Sequence, residues 1–204
     1  MLQLNDPSLF RQQAFLSGQW CDADNGETIA VTNPATGETV GTIANMGGAE
    51  ARRAIEAANA AWPAWRKKTA KERGAVMRKW SELIVANADD LAMIMTVEQG
   101  KPLAEAKTEV LSSAAFIEWF AEEAKRVYGE TIPAPLADRR IVVIKEPIGV
   151  CAAITPWNFP SAMIARKVGP ALAVGCPMVV RPADLTPFSA LALAVLAERA
   201  GVPA

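Results

Sequence analysis

Two short apolar segments near the end of the chain constrain its fold more than any other feature. "VCAAI" (150–154) and "PMVV" (177–180) have the length of strands and are too short for stable helices. A helix is predicted from about Pro160 to Val174, and another over "PFSALALAVLAERAG" (187–201). Strand, helix, strand and helix in this order predict a parallel βαβα unit, so we expect the α/β class. The wholly apolar first strand is typical of one covered on both faces.

The segment before this unit is predicted to contain short strands and then helices. Strands are expected around Phe15 to Ile43, where "DADNGET" and "NPATGET" supply turn residues. The first helix is predicted to have one apolar face and to be interrupted at Pro63. The residues of that face are Ile55, Ala58, Trp62 and Trp65.

Three further helices are predicted. Thr69 is a candidate N-cap for the second, whose apolar stripe is expected to contain Val76, Trp80, Leu83 and Ile84. The third spans 91–97 and is expected to end at "EQGKP", where Gly100 and Pro102 are stop signals. The fourth is expected from about Leu103 to Val127, and its aromatic residues are interpreted as core packing. Those residues are Phe116, Trp119 and Phe120. "RRIVVIKEPIGV" (139–150) then predicts a strand pair or hairpin arm.

Composition excludes several classes of function. A net charge of −1 gives no electrostatic basis for binding nucleic acid or an acidic membrane. No apolar stretch is long enough to span a bilayer, and the N-terminus does not have the pattern of a signal peptide. The 3 cysteines are far apart, which favours a reducing cytoplasm over a disulfide framework. The absence of histidine excludes Ser–His and Cys–His pairs within the chain and makes a zinc site unexpected, so no metal is predicted.

Polar residues follow both predicted strands of the βαβα unit. Ligands bind at the carboxyl ends of the strands in open parallel sheets, which here are 155–158 and 181–184. Arg181 and Asp184 have the chemistry to bind the hydroxyls of a ribose, or they form a local salt bridge that orders the loop. Neither strand is followed by the glycine-rich dinucleotide fingerprint.

Asn158, at the start of the helix predicted over 160–174, and Arg166 and Lys167, within that helix, each have two interpretations. Asn158 is a candidate helix cap, or its amide is a neutral donor to a developing oxyanion. Arg166 and Lys167 are adjacent, so they point about 100° apart on a helix and cannot serve one ligand from the same face. They are two solvated cations, or at least one is paired or functional, because the neighbouring residues are apolar or small.

Together, "PWNFP", "RKVGPALAVGC" and "VVRPADLTPFSALAL" resemble the aldehyde dehydrogenase superfamily. "EQGKPLAEAKTEV" and "FIEWFAEEAKRVYGETIP" are similar to bacterial succinate-semialdehyde dehydrogenases, enzymes of γ-aminobutyrate degradation. The resemblance extends from about Leu9 to Ala204. It implies the N-terminal part of the aldehyde dehydrogenase fold: a helical part and a β-hairpin oligomerisation arm, followed by an incomplete Rossmann-like unit.

The resemblance also implies roles for individual residues. Asn158 would be the side-chain donor of the oxyanion hole, Lys167 would lie near the nicotinamide ribose, and Phe159 would line the substrate tunnel. Arg166 occupies the position that holds the distal carboxylate of succinate semialdehyde. The loop beside the nicotinamide ribose and pyrophosphate would comprise Thr155, Pro156, Trp157 and Asn158. The segment that meets the adenosine ribose would comprise Arg181, Pro182, Ala183 and Asp184.

The resemblance implies NAD or NADP as the cofactor. Both are kept as expectations, because two residues that bear on the choice depart from the family pattern. Arg181 stands where the family usually has lysine, and it keeps the charge but changes the geometry. Asp184 stands where NADP-preferring members often have serine. Its carboxylate should repel a 2′-phosphate and favour NAD, although Arg181 could offset this.

Family members are more than twice as long as this chain. The glutamate general base and the nucleophilic cysteine of the family have no counterpart in the matching stretch, so we expect the chain alone to be inactive. The expected parts are 1–127 (N-terminal strands and helices of the cofactor-binding domain), 128–148 (the oligomerisation arm) and 149–204 (the start of the Rossmann-like unit). The expected partners are a small aldehyde and further copies of the chain. The alternative is a non-catalytic module that pairs with a full-length homologue.

Overall fold

The fold is described from a computed structural model that covers residues 3–203. Met1, Leu2 and Ala204, which belong to the predicted ranges 1–127 and 149–204, lie outside the described residues. The strands are β1 (Ala14–Leu16), β2 (Gln19–Cys21), β3 (Thr28–Thr32), β4 (Thr39–Ala44), β5 (Glu130–Ile132), β6 (Ile141–Val143), β7 (Cys151–Ile154) and β8 (Met178–Arg181). The helices are α1 (Gly48–Lys67), α2 (Ala70–Ala86), α3 (Ala88–Gln99), α4 (Leu103–Glu123), α5 (Ala162–Val174) and α6 (Phe188–Ala200).

The first four strands form two antiparallel hairpins, as the turn residues predict. β1 pairs with β2, and β3 pairs with β4. Ser17 and Gly18 join β1 to β2 with φ angles of 51° and 76°. Positive φ at both central residues of a two-residue loop matches the twist of the flanking strands. The prediction of short strands between Phe15 and Ile43 is therefore confirmed.

Helix α1 differs from its prediction in two respects. It continues through Pro63 without interruption. The missing donor is tolerated because Pro63 lies on the exposed side, and the indole N–H groups of Trp62 and Trp65 bond the carbonyls of Gly175 and Leu172, both at 3.1 Å. The predicted apolar face is also wrong at Ile55, which is 51% exposed.

Helices α2 and α4 form much of the core. Thr69 caps α2 as predicted, because its hydroxyl accepts from the Glu72 N–H and the Glu72 carboxylate accepts from the Thr69 N–H. Helix α4 ends at Glu123, earlier than predicted, and a 3₁₀ turn continues to Arg126. Core packing is a wrong interpretation for Trp119, which is 63% exposed. The buried face of α4 contains Ala106, Val110, Ala114, Ile117 and Ala121, and Trp119 lies about 200° from Ile117 around the helix.

Gly74 allows α2 to approach α4 closely. A Cβ at this position would lie 2.7 Å from the carbonyl oxygen of Ala121. We expect Gly74→Ala to lower the free energy of unfolding by about 1–3 kcal/mol, because the helices must separate. Urea unfolding monitored by circular dichroism measures this change. Gly48→Ala is the control, since a Cβ there meets nothing within 4 Å; an equal rise in stability for both variants would contradict the prediction.

The segment 128–148, called the arm below, contains an antiparallel hairpin. Strand β5 pairs with β6 in the register Glu130↔Val143 and Ile132↔Ile141. All residues of both strands are exposed, and Val142 is exposed by 68%. The hairpin prediction is confirmed, and an apolar arm stands away from the core.

The βαβα unit has the predicted topology. Strands β7 and β8 are parallel neighbours, with Cys151 opposite Met178 and Ile154 opposite Arg181. Helix α5 begins at Ala162, two residues later than predicted. Ala153 is buried, but Ile154 is 72% exposed. Alternate strand residues point to opposite faces, so one face of β7 is covered and the other is exposed among residues 3–203. The expectation that both faces are covered is therefore wrong for the described residues.

Candidate functional site

The loops after β7 and β8 lie side by side on one edge of the parallel pair. The Thr155 N–H donates to the Arg181 carbonyl at 3.1 Å, which continues the strand pairing into the first residue of the loop. The segments 155–158 and 181–184 therefore leave the sheet together at its carboxyl edge. This is the place where parallel sheets bind nucleotides.

Arg181 and Asp184 form the local salt bridge that the sequence allowed as one alternative. The guanidinium donates to both carboxylate oxygens, at 3.0 and 3.2 Å. Their side chains are 61% and 48% exposed, and exposed pairs contribute only about 0–1 kcal/mol. Pro182 and Ala183 between them are half-buried. Both charged groups can therefore turn to a ligand at little cost.

The donors and acceptors of the first loop fit a nucleotide ligand. Thr155 is buried, and its hydroxyl has no hydrogen-bond partner within residues 3–203. Pro156 is exposed, and Trp157 presents about half of its surface to solvent. A buried hydroxyl and an exposed ring beside an Arg–Asp pair are suited to phosphate, ribose and an aromatic base.

Asn158 does not cap the following helix, so that interpretation is wrong. Ser161 is the N-cap residue of α5, and its side chain makes no capping bond. The Asn158 side chain is exposed and makes no hydrogen bond to the residues that the structure describes, whereas its backbone carbonyl accepts from the Lys101 ammonium at 3.0 Å. The amide is therefore free to bind a ligand.

A buried carboxylate caps α5 instead. Oε1 of Glu109, in α4, accepts from the N–H groups of Ser161 and Ala162 at 3.0 and 3.1 Å. Its other oxygen forms an ion pair with Lys101. The Glu109 and Lys101 side chains are 4% and 11% exposed. The Lys101 ammonium also lies 4.5 Å from the centre of the Phe159 ring.

Helix α6 is capped in the same way by Glu98 of α3. Its carboxylate oxygens accept from the N–H groups of Phe188 and Ser189 at 2.7 and 2.8 Å. Burial raises the pKa of Glu98 from 4.5 to about 7, although the bonds from Ser189 and Phe188 oppose the rise. The N-termini of α5 and α6 are therefore both capped by side-chain carboxylates, from α4 and α3 respectively.

The residues predicted from the sequence do not include Lys101, Glu98 and Glu109. A signal was present, because Glu98 and Glu109 fall at helical spacing within apolar stripes of α3 and α4. An acidic residue at a core-facing position has a buried partner in most cases. The local pattern of "EQGKP" predicts only a helix stop.

Arg166 and Lys167 point in different directions, as their adjacency predicts. The Arg166 side chain is exposed, and its guanidinium carbon lies 5.0 Å from the centre of the Phe116 ring. Lys167 is half-buried, and its ammonium donates to the Met163 carbonyl at 3.2 Å. Arg166 alone of the pair presents its charge outward from α5.

The two cysteines of the βαβα unit do not have the surroundings of a nucleophile. Burial raises the pKa of the Cys151 thiol, and the neighbouring Cys176 raises it further. Cys176 is 2% exposed, and Cys21 lies in the separate β1–β2 hairpin. Within residues 3–203 no three His, Cys, Asp or Glu side chains are grouped as metal ligands, and no helix is long and apolar enough to cross a membrane.

Comparison with known proteins gives consistent matches. The sequence profile of the aldehyde dehydrogenase family matches residues 20–204. The chain is 68% identical over 203 residues to the glutarate-semialdehyde dehydrogenase of Pseudomonas putida, covering 100% of this chain and 42% of that protein. It is 64% identical to the NADP-dependent succinate-semialdehyde dehydrogenase of Escherichia coli, again covering 100% of this chain and 42% of that protein.

Solved structures agree with this fold. The crystal structure of succinate-semialdehyde dehydrogenase from Burkholderia pseudomallei has a TM-score of 0.97 and 68% sequence identity, covering 98% of this chain and 42% of that one. The chain thus spans about two fifths of the length of the relatives it matches, and its α/β fold is the N-terminal part of theirs. On the sequence profile, the identities and the shared fold, this chain belongs to the aldehyde dehydrogenase family.

Proposed function

We propose that the chain provides the cofactor edge, the oxyanion donor and the carboxylate-binding arginine of an NAD(P)-dependent dehydrogenase that oxidises succinate semialdehyde to succinate. The observation that carries this proposal is that the loops 155–158 and 181–184 lie at the same edge of the sheet. The first of these loops leads into α5, which contains Arg166. Relatives named for succinate and glutarate semialdehydes support a substrate with an aldehyde at one end and a carboxylate at the other.

Asn158 is proposed to stabilise negative charge on the substrate oxygen. When a thiolate adds to an aldehyde, the carbonyl oxygen becomes an oxyanion within a thiohemiacetal. An amide N–H held beside that oxygen strengthens its hydrogen bond as the charge develops, which lowers the barrier. The free Asn158 amide has this chemistry, and Phe159 beside it is proposed to line the path of the aldehyde.

Arg166 is proposed to bind the distal carboxylate of the substrate. A guanidinium binds a carboxylate through two parallel N–H bonds, and the Arg166 guanidinium, 5.0 Å from the centre of the Phe116 ring, makes no hydrogen bond within residues 3–203. The half-buried Lys167, which faces another way, is proposed to lie near the nicotinamide ribose. The two cations thus serve different ligands.

The cofactor is proposed to lie across the carboxyl edge, with Thr155, Pro156 and Trp157 on one side and the segment 181–184 on the other. NAD or NADP, when bound, accepts the hydride from the aldehyde carbon. Asp184 accepts bonds from ribose hydroxyls in this proposal, and Arg181 donates to them. The carboxylate favours NAD, while the guanidinium reduces its repulsion of a 2′-phosphate.

The chain alone is proposed to have no dehydrogenase activity, because burial disfavours the thiolate of Cys151, Cys176 is buried, and Cys21 lies in the separate β1–β2 hairpin. In the proposed division, 1–127 and 149–204 form the cofactor-binding part and 128–148 joins copies of the chain. The exposed apolar arm supports a homo-oligomer. It equally supports the second candidate, a non-catalytic module that pairs with a longer homologue; co-purification with such a subunit would favour that role.

The function is tested in a chimaera, in which this chain replaces the matching 203 residues of the Escherichia coli relative. We expect the chimaera to oxidise succinate semialdehyde and this chain alone to give no turnover. Arg166→Met should raise KM for succinate semialdehyde about 10- to 100-fold, because charge-assisted bonds to the carboxylate are lost. Steady-state kinetics with butanal, which lacks the carboxylate, should show no such change.

Arg52→Met is the control, since Arg52 is exposed on α1. It should leave both substrates unaffected. Equal losses with succinate semialdehyde and butanal in Arg166→Met would contradict the role in carboxylate binding. A higher kcat/KM for glutarate semialdehyde than for succinate semialdehyde would reassign the substrate within the same class.

A further inference from the structure

We propose that Lys101 is a positioning residue, which holds the backbone at Asn158 and the ring of Phe159 so that the Asn158 amide is fixed at the substrate oxygen. This inference rests on the proposed function. Lys101 is not part of the loop it holds, because it lies in the connection between α3 and α4. It would act through Asn158 without touching the substrate.

The contacts of the Lys101 ammonium converge on this loop. One N–H donates to the Asn158 carbonyl at 3.0 Å, and the charge lies 4.5 Å from the centre of the Phe159 ring. The ammonium is itself anchored by Glu109, whose second oxygen caps α5. One buried pair therefore fixes both ends of the short segment between Asn158 and the start of α5.

Burial makes this pair unsuited to a purely stabilising role. Removing two charges from water costs several kcal/mol, and replacing buried pairs by apolar residues is often neutral or stabilising. The two cap bonds at the start of α5 are made by Glu109, whereas Lys101 balances its buried charge and makes no bond to α5 itself. Beyond Glu109, the Lys101 ammonium bonds the Asn158 carbonyl and contacts the Phe159 ring, and these are the residues assigned to the oxyanion and the substrate path.

A double variant separates positioning from folding. Lys101→Met alone leaves the Glu109 charge buried without a partner, and such variants often unfold. Lys101→Met combined with Glu109→Gln removes both charges, while the Gln oxygen still accepts at the start of α5. Lys101→Arg keeps the charge. Lys107→Met is the control, because Lys107 pairs with Asp89 on the surface at 46% and 73% exposure.

Two measurements test the proposal. In the chimaera, the double variant should lower kcat at least about tenfold with KM changed less than about twofold, because a misplaced donor affects the transition state more than binding. Lys101→Arg should keep most of the parent's kcat, because the charge is kept. Lys107→Met should have the same kcat and KM as the parent. Unchanged kcat in the double variant, or an equal loss in Lys107→Met, would overturn the proposal.

The second measurement does not need activity. The Met163 N–H donates to the Phe159 carbonyl at 2.9 Å, so its hydrogen exchange reports on the loop. In this chain alone, the double variant should exchange at Met163 about tenfold faster, while Ser161 and Ala162 stay within about twofold. Unchanged exchange at Met163 would overturn the positioning role. An inactive parent chimaera would count against the proposed function and leave this measurement decisive for Lys101.

Discussion

Replacing Asn158 with alanine in the chimaera is expected to lower kcat by about 10²–10³-fold, since that is the usual loss when one oxyanion donor is removed. KM should change little, because the amide bonds a charge that develops only in the transition state. The measurement is steady-state turnover of succinate semialdehyde with saturating cofactor. Folding should be unaffected, since the side chain is exposed and makes no hydrogen bond within residues 3–203.

Asn45→Ala provides a control, because Asn45 is an exposed asparagine just after β4, outside the βαβα unit, and its side chain bonds only Glu27 within residues 3–203. It should keep kcat within about twofold of the parent. A loss below about tenfold for Asn158→Ala would remove the oxyanion role, while a rise in KM at constant kcat would assign the amide to substrate binding instead.

The stability of this chain is expected to fall as the pH rises from about 5 to about 7. The Glu98 carboxyl has a pKa of about 7 in the folded state against an ordinary value of 4.5, because burial disfavours the charge. Between these values the folded state binds more protons than the unfolded state, so raising the pH favours unfolding. The difference corresponds to about 3 kcal/mol in the free energy of unfolding.

Glu98→Gln should remove most of this pH dependence. The Gln oxygen still accepts at the start of α6, but the side chain does not titrate. Urea unfolding at several pH values measures the slope, and the exposed Glu105→Gln is the control that should keep it. No histidine contributes between about pH 5 and 7, because the chain contains 0. A slope that persists in Glu98→Gln would contradict the assignment.

The sequence predicted the architecture well where local signals and packing agree. The βαβα order, the Thr69 cap, the end of α3 at Gly100 and the hairpin in the arm are all present. Each depends on residues close together in the chain. Pro63 misled the prediction because two tryptophan bonds to distant carbonyls stabilise α1, and those bonds cannot be inferred from local propensity.

The site was predictable in part for the same reason. The loops after β7 and β8 were placed together because parallel strands end at one edge. The caps of α5 and α6 were not predicted, because Glu109 and Glu98 lie 52 and 90 residues from the N–H groups they bind. The spacing alone favours Asn158 as the cap, but a carboxylate from α4 occupies that role. The functional assignments of Asn158, Arg166 and Lys167 stay predictions.

The two capping carboxylates, Glu98 and Glu109, also limit which segments can be exchanged between members of this family. A βαβα unit transplanted into another dehydrogenase would arrive with both helix starts unsatisfied unless the recipient places acids at the positions of Glu98 and Glu109. Productive recombination between relatives is therefore expected to carry α3 and α4 together with the βαβα unit as one inherited block.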